Sequence, residues 1–170
     1  MDKETVVKKA EGIEGLVNLN GEIQFLYDLC HEKNPREILE IGSYKGRSAF
    51  VMLSACDGNI TCVDSMVQTT AELISETLKQ YEGRFNIVDM ESEAFWKENK
   101  KKFDFIFIDG FHYNPIIEID VKGALDHLAD GGVLCGHDYD SKYHSQLMQV
   151  VDENCGEVEV VQTLWRMKNA

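Results

Sequence analysis

Long apolar runs are absent from this sequence, and no stretch approaches the roughly 20 residues that a membrane-spanning helix needs. The opening residues Met1–Glu4 contain no apolar segment of the kind that begins a secretory signal. We therefore expect a cytoplasmic protein without a membrane partner.

Basic residues are scarce, since 17 lysines and arginines stand against 30 aspartates and glutamates and the net charge is −13. A surface of this charge repels the phosphate backbone, so we expect no nucleic-acid partner. The one basic run, Lys100–Lys102, is typical of the solvated end of a helix.

Cysteines at metal-binding spacing are also missing. The chain has five cysteines, an odd number, with no CxxC pair and no Cys/His spacing that would assemble a zinc site. This pattern indicates reduced cysteines that pack as small apolar side chains. They are Cys30, Cys56, Cys62, Cys135 and Cys155.

Linkers rich in glycine, serine or proline do not divide the chain, which has only two prolines. We predict one domain over residues 1–170, with an N-terminal helical segment over 1–34 and an α/β core over 35–170.

Short apolar runs alternate with longer helical patterns through the core. Such runs are typical of parallel strands buried on both faces, and parallel strands need long connections that helices can provide. The predicted strands are Glu37–Ile41, Ile60–Val63, Phe85–Val88, Phe103–Ile108 and Val133–Gly136. The predicted connecting helices are Arg47–Ala55, Thr69–Tyr81, Ser92–Lys100, Ile116–Leu128 and Tyr143–Asn154.

The two ends of the chain depart from this alternation. Apolar residues at helical spacing predict a helix over Ile23–His31, the only good one before the first strand. The nearly adjacent β-prone runs Val158–Val161 and Leu164–Met167 predict an antiparallel hairpin that closes the sheet.

A glycine-bearing turn follows the first strand. Gly42 can let the backbone approach a ligand, and the next helix offers free N–H groups to a carboxylate or phosphate. Asp64 ends the second strand about 20 residues later, where an acid can accept hydrogen bonds from ribose hydroxyls. Asp89 ends the third strand, where an acid can bind the amino group of an adenine. A purely structural glycine turn, a helix cap or turn residue at Asp64 and a capping segment at Asp89–Ser92 remain the alternatives.

Acids and histidines collect after the fourth and fifth strands. Asp109 and His112 follow one strand, His137 and Asp138 follow the other, and ligands of open α/β sheets bind at this edge. The cluster favours general-base chemistry by a histidine or the binding of a hard divalent cation. Ordinary hydrogen-bonded loop residues are the alternative interpretation.

Polar residues on the helix after the fourth strand predict a solvated face, formed by Asp120, Lys122, Asp126 and His127. Asp120 is a candidate exception, because one helical turn can carry it toward the base of the His112 loop. Trp165 is predicted to be a core residue.

Together these motifs resemble the class I S-adenosylmethionine-dependent methyltransferases over Glu14–Met167. Glu40–Gly46 is similar to their first motif, with Tyr44 in place of the usual central glycine. The segments Ile108–Tyr113 and Asp130–Tyr139 are similar to compact small-molecule O-methyltransferases of the macrocin and cephalosporin types.

The resemblance implies a Rossmann-like, doubly wound α/β fold. Its mostly parallel seven-stranded sheet would have the order 3-2-1-4-5-7-6, with helices on both faces and a C-terminal antiparallel hairpin. S-adenosylmethionine is the implied cofactor, with its methionine part at Gly42, its ribose at Asp64 and its adenine end at Asp89. The implied cofactor contacts are Glu40, Gly42, Ser43, Tyr44, Gly46, Ser48, Asp64, Ser65, Met66, Asp89, Met90 and Asp109.

The resemblance also implies methyl transfer to a hydroxyl oxygen of a small-molecule acceptor. His112 would be the general base, with Asp109 and His137 beside it in the catalytic group. Asp109 and Asp138 occupy magnesium-ligand positions, but His137 stands where relatives carry an oxygen ligand, so a bound Mg²⁺ stays open. A homo-oligomer that completes the acceptor pocket also stays open.

Two other classes of protein share parts of this pattern. An NAD-dependent Rossmann oxidoreductase has the same strand, turn and ribose acid, but Tyr44 replaces the glycine that a pyrophosphate needs. A non-catalytic module that only binds S-adenosylmethionine would keep the cofactor residues and show no turnover.

Overall fold

The computed structural model describes residues 1–15, 21–140 and 142–168 of the chain. In these residues seven α-helices and seven strands follow one another. The helices are α1 (Lys3–Glu11), α2 (Glu22–Lys33), α3 (Arg47–Ala55), α4 (Ala71–Leu78, followed by a 3-10 turn at Lys79–Tyr81), α5 (Ser92–Glu98), α6 (Ile116–His127) and α7 (Ser145–Cys155). The strands are β1 (Glu37–Ile41), β2 (Asn59–Asp64), β3 (Phe85–Asp89), β4 (Phe103–Ile108), β5 (Leu128–Gly136), β6 (Val158–Val161) and β7 (Leu164–Met167).

The seven strands join one sheet in the order β3-β2-β1-β4-β5-β7-β6. The pairs among β1 to β5 are parallel, whereas β7 runs antiparallel to both β5 and β6. The predicted fold class, strand order and C-terminal hairpin are confirmed. Because helices cover a parallel sheet on both faces, its inner strands appear in the sequence as continuous apolar runs.

Two apolar cores lie on opposite faces of the sheet. Buried side chains of α1 to α4 pack in the first core, and those of α5 to α7 pack in the second. Strand β4 serves both, because Phe105 and Phe107 belong to the first core while Ile106 and Ile108 belong to the second. Trp165 is 1% exposed within the second core, as predicted.

Helix α1 corrects the prediction of a single helix before the first strand. It buries only Val6, Val7 and Ala10, and so short an apolar stripe gives little periodic signal in the sequence. Its start does follow a local rule, since the Asp2 side chain accepts a hydrogen bond from the Thr5 N–H at 2.9 Å. No helix in the described ranges is both long enough and apolar enough to cross a membrane.

Strand β5 begins at Leu128, earlier than the predicted start at Val133. Its pairing with β4 shifts register between Phe103 and Phe105, which marks an irregular first half. The polar, glycine-rich run Asp130–Gly132 falls in this half and interrupts the apolar pattern on which the prediction rested.

The predicted solvated position of Asp120 is wrong, because its side chain is fully buried. It accepts a hydrogen bond from the Trp96 indole N–H at 2.9 Å, and burial raises its pKa to about 6. A Cβ placed on Gly110 would lie 3.7 Å from Asp120 Oδ2. Asp120 therefore does reach the base of the His112 loop, where it joins α5 and α6.

The chain segments that follow β1 and β4 make a close backbone contact. A Cβ added to Gly42 would lie only 2.2 Å from the backbone oxygen of Asp109, and the φ of Gly42 is 84°. Glycine meets both conditions, since it has no side chain and adopts positive φ without strain. The contact presses the turn after β1 against the start of the loop after β4.

Replacing Gly42 by alanine tests this contact, with Gly83→Ala as the matched control. Gly83 has a φ of 83°, but nothing lies within 4 Å of a Cβ added there. We expect Gly83→Ala to lower the free energy of unfolding by about 1 kcal/mol through its left-handed backbone alone. Gly42→Ala should lower it by about 1–3 kcal/mol more, because the backbone at Asp109 must move. Urea unfolding measures both, and equal losses would contradict the collision.

Candidate active site

The candidate site lies at the carboxyl ends of the central strands. Strand β1 has β2 on one side and β4 on the other, so the chain leaves β1 in one direction and later returns on its other side. In open α/β sheets this reversal opens a crevice beyond the strand ends. The loops after β1, β2, β4 and β5 surround this point.

Three left-handed residues shape the turn after β1. Gly42, Tyr44 and Gly46 have φ values of 84°, 46° and 80°. Tyr44 is not a glycine, yet it has a left-handed backbone conformation that glycine adopts more readily. The turn is held by Asp64, whose Oδ2 accepts hydrogen bonds from the N–H groups of Ser43 and Tyr44, each at 2.9 Å.

Asp64 is a structural acceptor in this state. Besides the two bonds at Oδ2, its Oδ1 accepts a hydrogen bond from the Met66 N–H at 3.0 Å. A carboxylate has about four acceptor positions, so these three amide bonds leave room for about one more. The structure thus shows the turn role that was the alternative for Asp64, and it leaves one acceptor position for a ligand.

The predicted adenine end lies beside Asp64. Asp89 is its register partner on β3 and is exposed, and the Met90 N–H donates to the backbone oxygen of Asp64 at 3.0 Å. Ser65 and Met66 are partly buried in the adjoining loop, where Met66 has a φ of 55°. The sheet therefore brings these five predicted cofactor residues to one short stretch of its edge.

Glu40 and Ser48 are buried beneath the turn. The Ser48 hydroxyl donates to Glu40 Oε1, while Oε2 is buried and has no hydrogen-bond partner among the described residues. Burial, opposed by the hydrogen bond from Ser48, raises the pKa of Glu40 to about 7. Gly42, Ser48 and Asp109 line a small cavity at this turn.

The segment after α1 also borders this cavity, a contact that the sequence did not predict. Arg47 donates from Nε to the Ile13 carbonyl and from Nη1 to the Gly15 carbonyl at 3.0 Å. Glu14 accepts a hydrogen bond from the Tyr44 hydroxyl at 2.9 Å. These hydrogen bonds hold the segment after α1 against the turn that follows β1.

His137 lies at the centre of a buried group of polar side chains. Its Nε2 is 3.2 Å from Glu22 Oε2 and 3.1 Å from Thr163 Oγ1. On the other side of the ring, Nδ1 is 3.5 Å from Asp109 Oδ1 and 3.3 Å from Asp138 Oδ2. Glu22 in turn accepts hydrogen bonds from the Thr163 N–H and hydroxyl at 2.9 and 2.8 Å.

The charges of this group follow from its geometry. Burial lowers the pKa of His137, but the carboxylates of Asp109, Asp138 and Glu22 raise it more strongly, well above its ordinary value. Burial likewise raises the pKa of Glu22, but the hydrogen bonds from His137 and Thr163 bring it well below its ordinary value. His137 is therefore an imidazolium and Glu22 a carboxylate near neutral pH.

A second cluster lies on the solvent side of Asp138. His112 Nε2 is 2.9 Å from Asp138 Oδ2, and His144 Nδ1 is 3.8 Å from Asp138 Oδ1. The two imidazole rings are 4.6 Å apart at an angle of 44°. Phe111 and Tyr113, on either side of His112 in the chain, are exposed and contact each other edge to face at 5.6 Å.

Magnesium does not fit between Asp109 and Asp138. Mg²⁺ is bound by oxygen ligands, whereas the third donor atom in this cluster is Nδ1 of His137. This imidazolium already supplies positive charge to both carboxylates and offers no free lone pair. The expectation of a magnesium ion on these two residues therefore finds no support in the geometry.

Several residues of the candidate site could not be found by sequence reasoning. Glu22 begins α2, where an acid is common because it stabilises the helix dipole. Thr163 lies in the turn of the predicted hairpin, and His144 lies just before α7. No motif connects these residues to His137 or Asp138, so only the fold reveals their contacts.

Comparison with known families gives one match that covers more than half of the chain. The profile of a family described as a methyltransferase domain matches residues 39–139. This range extends from β1 to the loop after β5, and so includes the glycine turn, Asp64, Asp109 and Asp138. No curated protein sequence matches the chain.

Solved structures share the whole fold at low sequence identity. An O-methyltransferase from Bacillus cereus in complex with SAH is 18% identical with a TM-score of 0.70, over 98% of this chain and 90% of that one. The O-methyltransferase TomG from Streptomyces achromogenes, in complex with SAM, is 18% identical with a TM-score of 0.68, over 100% and 92%. The SAH-bound methyltransferase PaMTH1 from Podospora anserina is 18% identical with a TM-score of 0.66, over 99% and 86%.

Glu22→Gln tests the buried ion pair, with Glu32→Gln on the exposed side of the same helix as control. Loss of the buried charge should lower the free energy of unfolding by about 3–5 kcal/mol, and the control by less than about 0.5 kcal/mol. Urea unfolding measures both. A loss as small as that of the control would contradict the ion pair.

The pKa shifts of Glu22 and His137 also predict how the stability difference between wild type and Glu22→Gln varies with pH. The lowered pKa of Glu22 contributes stability that is complete above its ordinary pKa of 4.5 and is lost as the pH falls below it. The raised pKa of His137 contributes stability that is complete below its ordinary pKa of 6.5 and is lost as the pH rises. The difference between wild type and Glu22→Gln should therefore be largest between these two pH values.

Proposed function

The chain belongs to the methyltransferase-domain family, and from this membership we propose that it transfers a methyl group from S-adenosylmethionine to a hydroxyl oxygen of a small molecule. The observation that carries the proposal is the shared edge of β1, β2 and β4, where the glycine turn, Asp64 and Asp109 meet. The Bacillus and Streptomyces O-methyltransferases, whose structures hold SAH and SAM, support the same cofactor and acceptor atom. We also propose the macrocin- and cephalosporin-type group, from the likeness of Ile108–Tyr113 and Asp130–Tyr139.

The residues at this edge suit the parts of the proposed cofactor. Glu40 Oε2 is a buried acceptor without a described partner, which suits the cofactor's ammonium group. Asp64 keeps about one acceptor position for a ribose hydroxyl, and the exposed carboxylate of Asp89 lies beside it for the adenine amino group. S-adenosylmethionine, when bound, supplies a methyl group that its positively charged sulfur makes electrophilic.

His112 is the proposed proton acceptor. Its Nε2 makes no hydrogen bond to the described residues, although Asp138 Oδ2 lies 2.9 Å away. The carboxylate stabilises the imidazolium that forms when His112 takes the proton of the acceptor hydroxyl. Asp109 and His137 are proposed as positioning residues, because their contacts hold Asp138 and the loop that carries His112.

Aromatic side chains beside His112 favour a flat acceptor. Phe111 and Tyr113 are 60% and 51% exposed, although large aromatic side chains are usually more buried. The two residues flank the proposed base in the chain, and their rings contact each other and offer stacking surface. We propose that the acceptor contains an aromatic or similarly flat part, such as a phenol.

An NAD-dependent oxidoreductase is less well supported. The Tyr44 side chain stands in the turn where a dinucleotide needs glycine for its pyrophosphate. A module that binds S-adenosylmethionine without turnover has the same cofactor residues, and an activity measurement separates it from an enzyme.

Asp89→Ala tests the cofactor site, and Asp57→Ala is its control, because Asp57 is an exposed acid at the opposite edge of the sheet, just before β2. Loss of one hydrogen bond to a carboxylate should weaken S-adenosylhomocysteine binding about tenfold, while the control keeps wild-type affinity. Isothermal calorimetry gives both dissociation constants. A wild-type chain that does not bind S-adenosylhomocysteine, or binds NAD tightly instead, would refute the cofactor assignment.

His112→Ala tests the proton acceptor, and His31→Ala, at the far end of α2, is its control. We expect methyl transfer to a panel of phenol and sugar acceptors to fall about 10²- to 10⁴-fold in His112→Ala and to stay unchanged in His31→Ala. S-adenosylhomocysteine affinity should not change in either variant. Full activity of His112→Ala would remove it as the base, and an inactive wild type would favour the non-catalytic module.

A further inference from the structure

Two histidines and one aspartate converge at the open side of the site. We propose that His112, Asp138 and His144 bind a borderline divalent metal ion such as Zn²⁺. The proposal differs from the magnesium site considered above, because it uses two imidazole nitrogens and only one of the two carboxylates. His144 has no part in the proposed methyl transfer.

The distances fit three ligands of one ion. One donor atom from each of the three side chains lies within 4.8 Å of the other two. Asp138 Oδ2 lies 2.9 Å from His112 Nε2, and Asp138 Oδ1 lies 3.8 Å from His144 Nδ1. Ligands about 2.0–2.1 Å from a tetrahedral zinc ion lie about 3.3 Å apart, between these two values.

The donor atoms lack other partners. His112 Nε2 and His144 Nδ1 are both shielded from solvent, and neither forms a hydrogen bond with a described residue. The 2.9 Å separation of His112 Nε2 from Asp138 thus occurs without the angle of a hydrogen bond. Buried unsatisfied nitrogens are costly, so two that face one carboxylate are suited to share an ion with it.

The local backbone holds these side chains together. Asp138 has a left-handed φ of 61°, an uncommon conformation for a residue other than glycine and one that is often found at functional sites. The Asp140 N–H donates to the Asp138 carbonyl, and the His144 N–H donates to the Asp140 carbonyl, each at 2.8 Å. These two bonds fold the start of the α7 connection back, so that His144 returns to Asp138.

The donor set selects the class of metal. Two imidazoles with one carboxylate suit zinc and other first-row transition metals, whereas magnesium and calcium prefer oxygen ligands alone. The side chains of His112, Asp138 and His144 are 18%, 18% and 22% exposed, which leaves an open side for water or a ligand. His137 suits the metal less well, because its side chain is 4% exposed and Nε2 already contacts Glu22 and Thr163.

Metal binding does not depend on methyl transfer, but its effect on activity rests on the proposed function. A metal ion on the lone pair of His112 Nε2 leaves the other ring nitrogen as an N–H, so the ring then has no lone pair for a proton. Zinc should therefore suppress the turnover that depends on His112, and a chelator should restore it. Binding and inhibition can be measured separately, so failure of one proposal is distinguishable from failure of the other.

Zinc calorimetry on the chelator-treated full chain tests the site. We expect one zinc ion per chain, with affinity at least about tenfold lower in both His144→Ala and His144→Gln and unchanged in His31→Ala. The two substitutions at His144 differ in size, so agreement between them excludes a packing defect peculiar to one. Cobalt(II) provides a second readout, because its absorption spectrum distinguishes nitrogen and oxygen ligands from thiolates.

Four outcomes would overturn the proposal. They are the absence of zinc binding to wild type, binding that survives both His144 substitutions, a cobalt spectrum with thiolate charge transfer, and magnesium binding as tight as that of zinc. Thiolate signals would place the ion on the partly exposed Cys56. Equal magnesium binding would place it on carboxylates alone.

Discussion

A buried imidazolium requires negative charge around it, and in this protein the carboxylates come from three separate parts of the fold. Glu22 comes from α2, Asp109 from the loop after β4 and Asp138 from the loop after β5, while Thr163 in the β6–β7 turn holds Glu22. An unpaired charge at this depth costs several kcal/mol, so displacing any one of these elements would strongly destabilise the fold. Helix α2, the loops after the central strands β4 and β5, and the C-terminal hairpin are thus joined at the His137 side chain.

The buried charges around His137 also determine which side chains lie on the open side of the site. Asp138 contacts His137 on its buried side and His112 on its exposed side, and both contacts involve Oδ2. The position of His112 therefore depends on the buried charges behind it. The Asp138 carboxylate therefore links the buried charges to the partly exposed histidines His112 and His144.

Much of the fold could be predicted from the sequence, because a covered parallel sheet produces short apolar runs. The bounds of β1, β4, β6, β7 and α3 agree with prediction. Strand ends are also informative, since parallel strands bring their carboxyl ends to one edge, and the sheet does place Asp64, Asp109 and Asp138 there. Helix α1 and the first half of β5 escaped prediction because their apolar patterns are short or interrupted.

The rest of the site depends on tertiary contacts that no local pattern encodes. Glu22 and Asp120 have the sequence surroundings of ordinary helix residues, yet both are fully buried beside specific partners. For Asp64 the position at the strand end was predictable from the sequence, but its three hydrogen bonds from backbone N–H groups were not. Periodicity predicts which elements form, whereas these partners depend on how distant elements meet.

The bond between Glu22 and Thr163 joins residues that are 141 positions apart. A ribosome that has synthesised α2, the glycine turn and even β5 has not yet supplied Thr163, the residue that holds Glu22 in place. The charged centre of the site can therefore assemble only after the β6–β7 hairpin has been synthesised, and contacts of such long range form late and slowly in folding. Until Thr163 is present, the nascent chain contains the turn after β1 but lacks the complete buried polar group around His137.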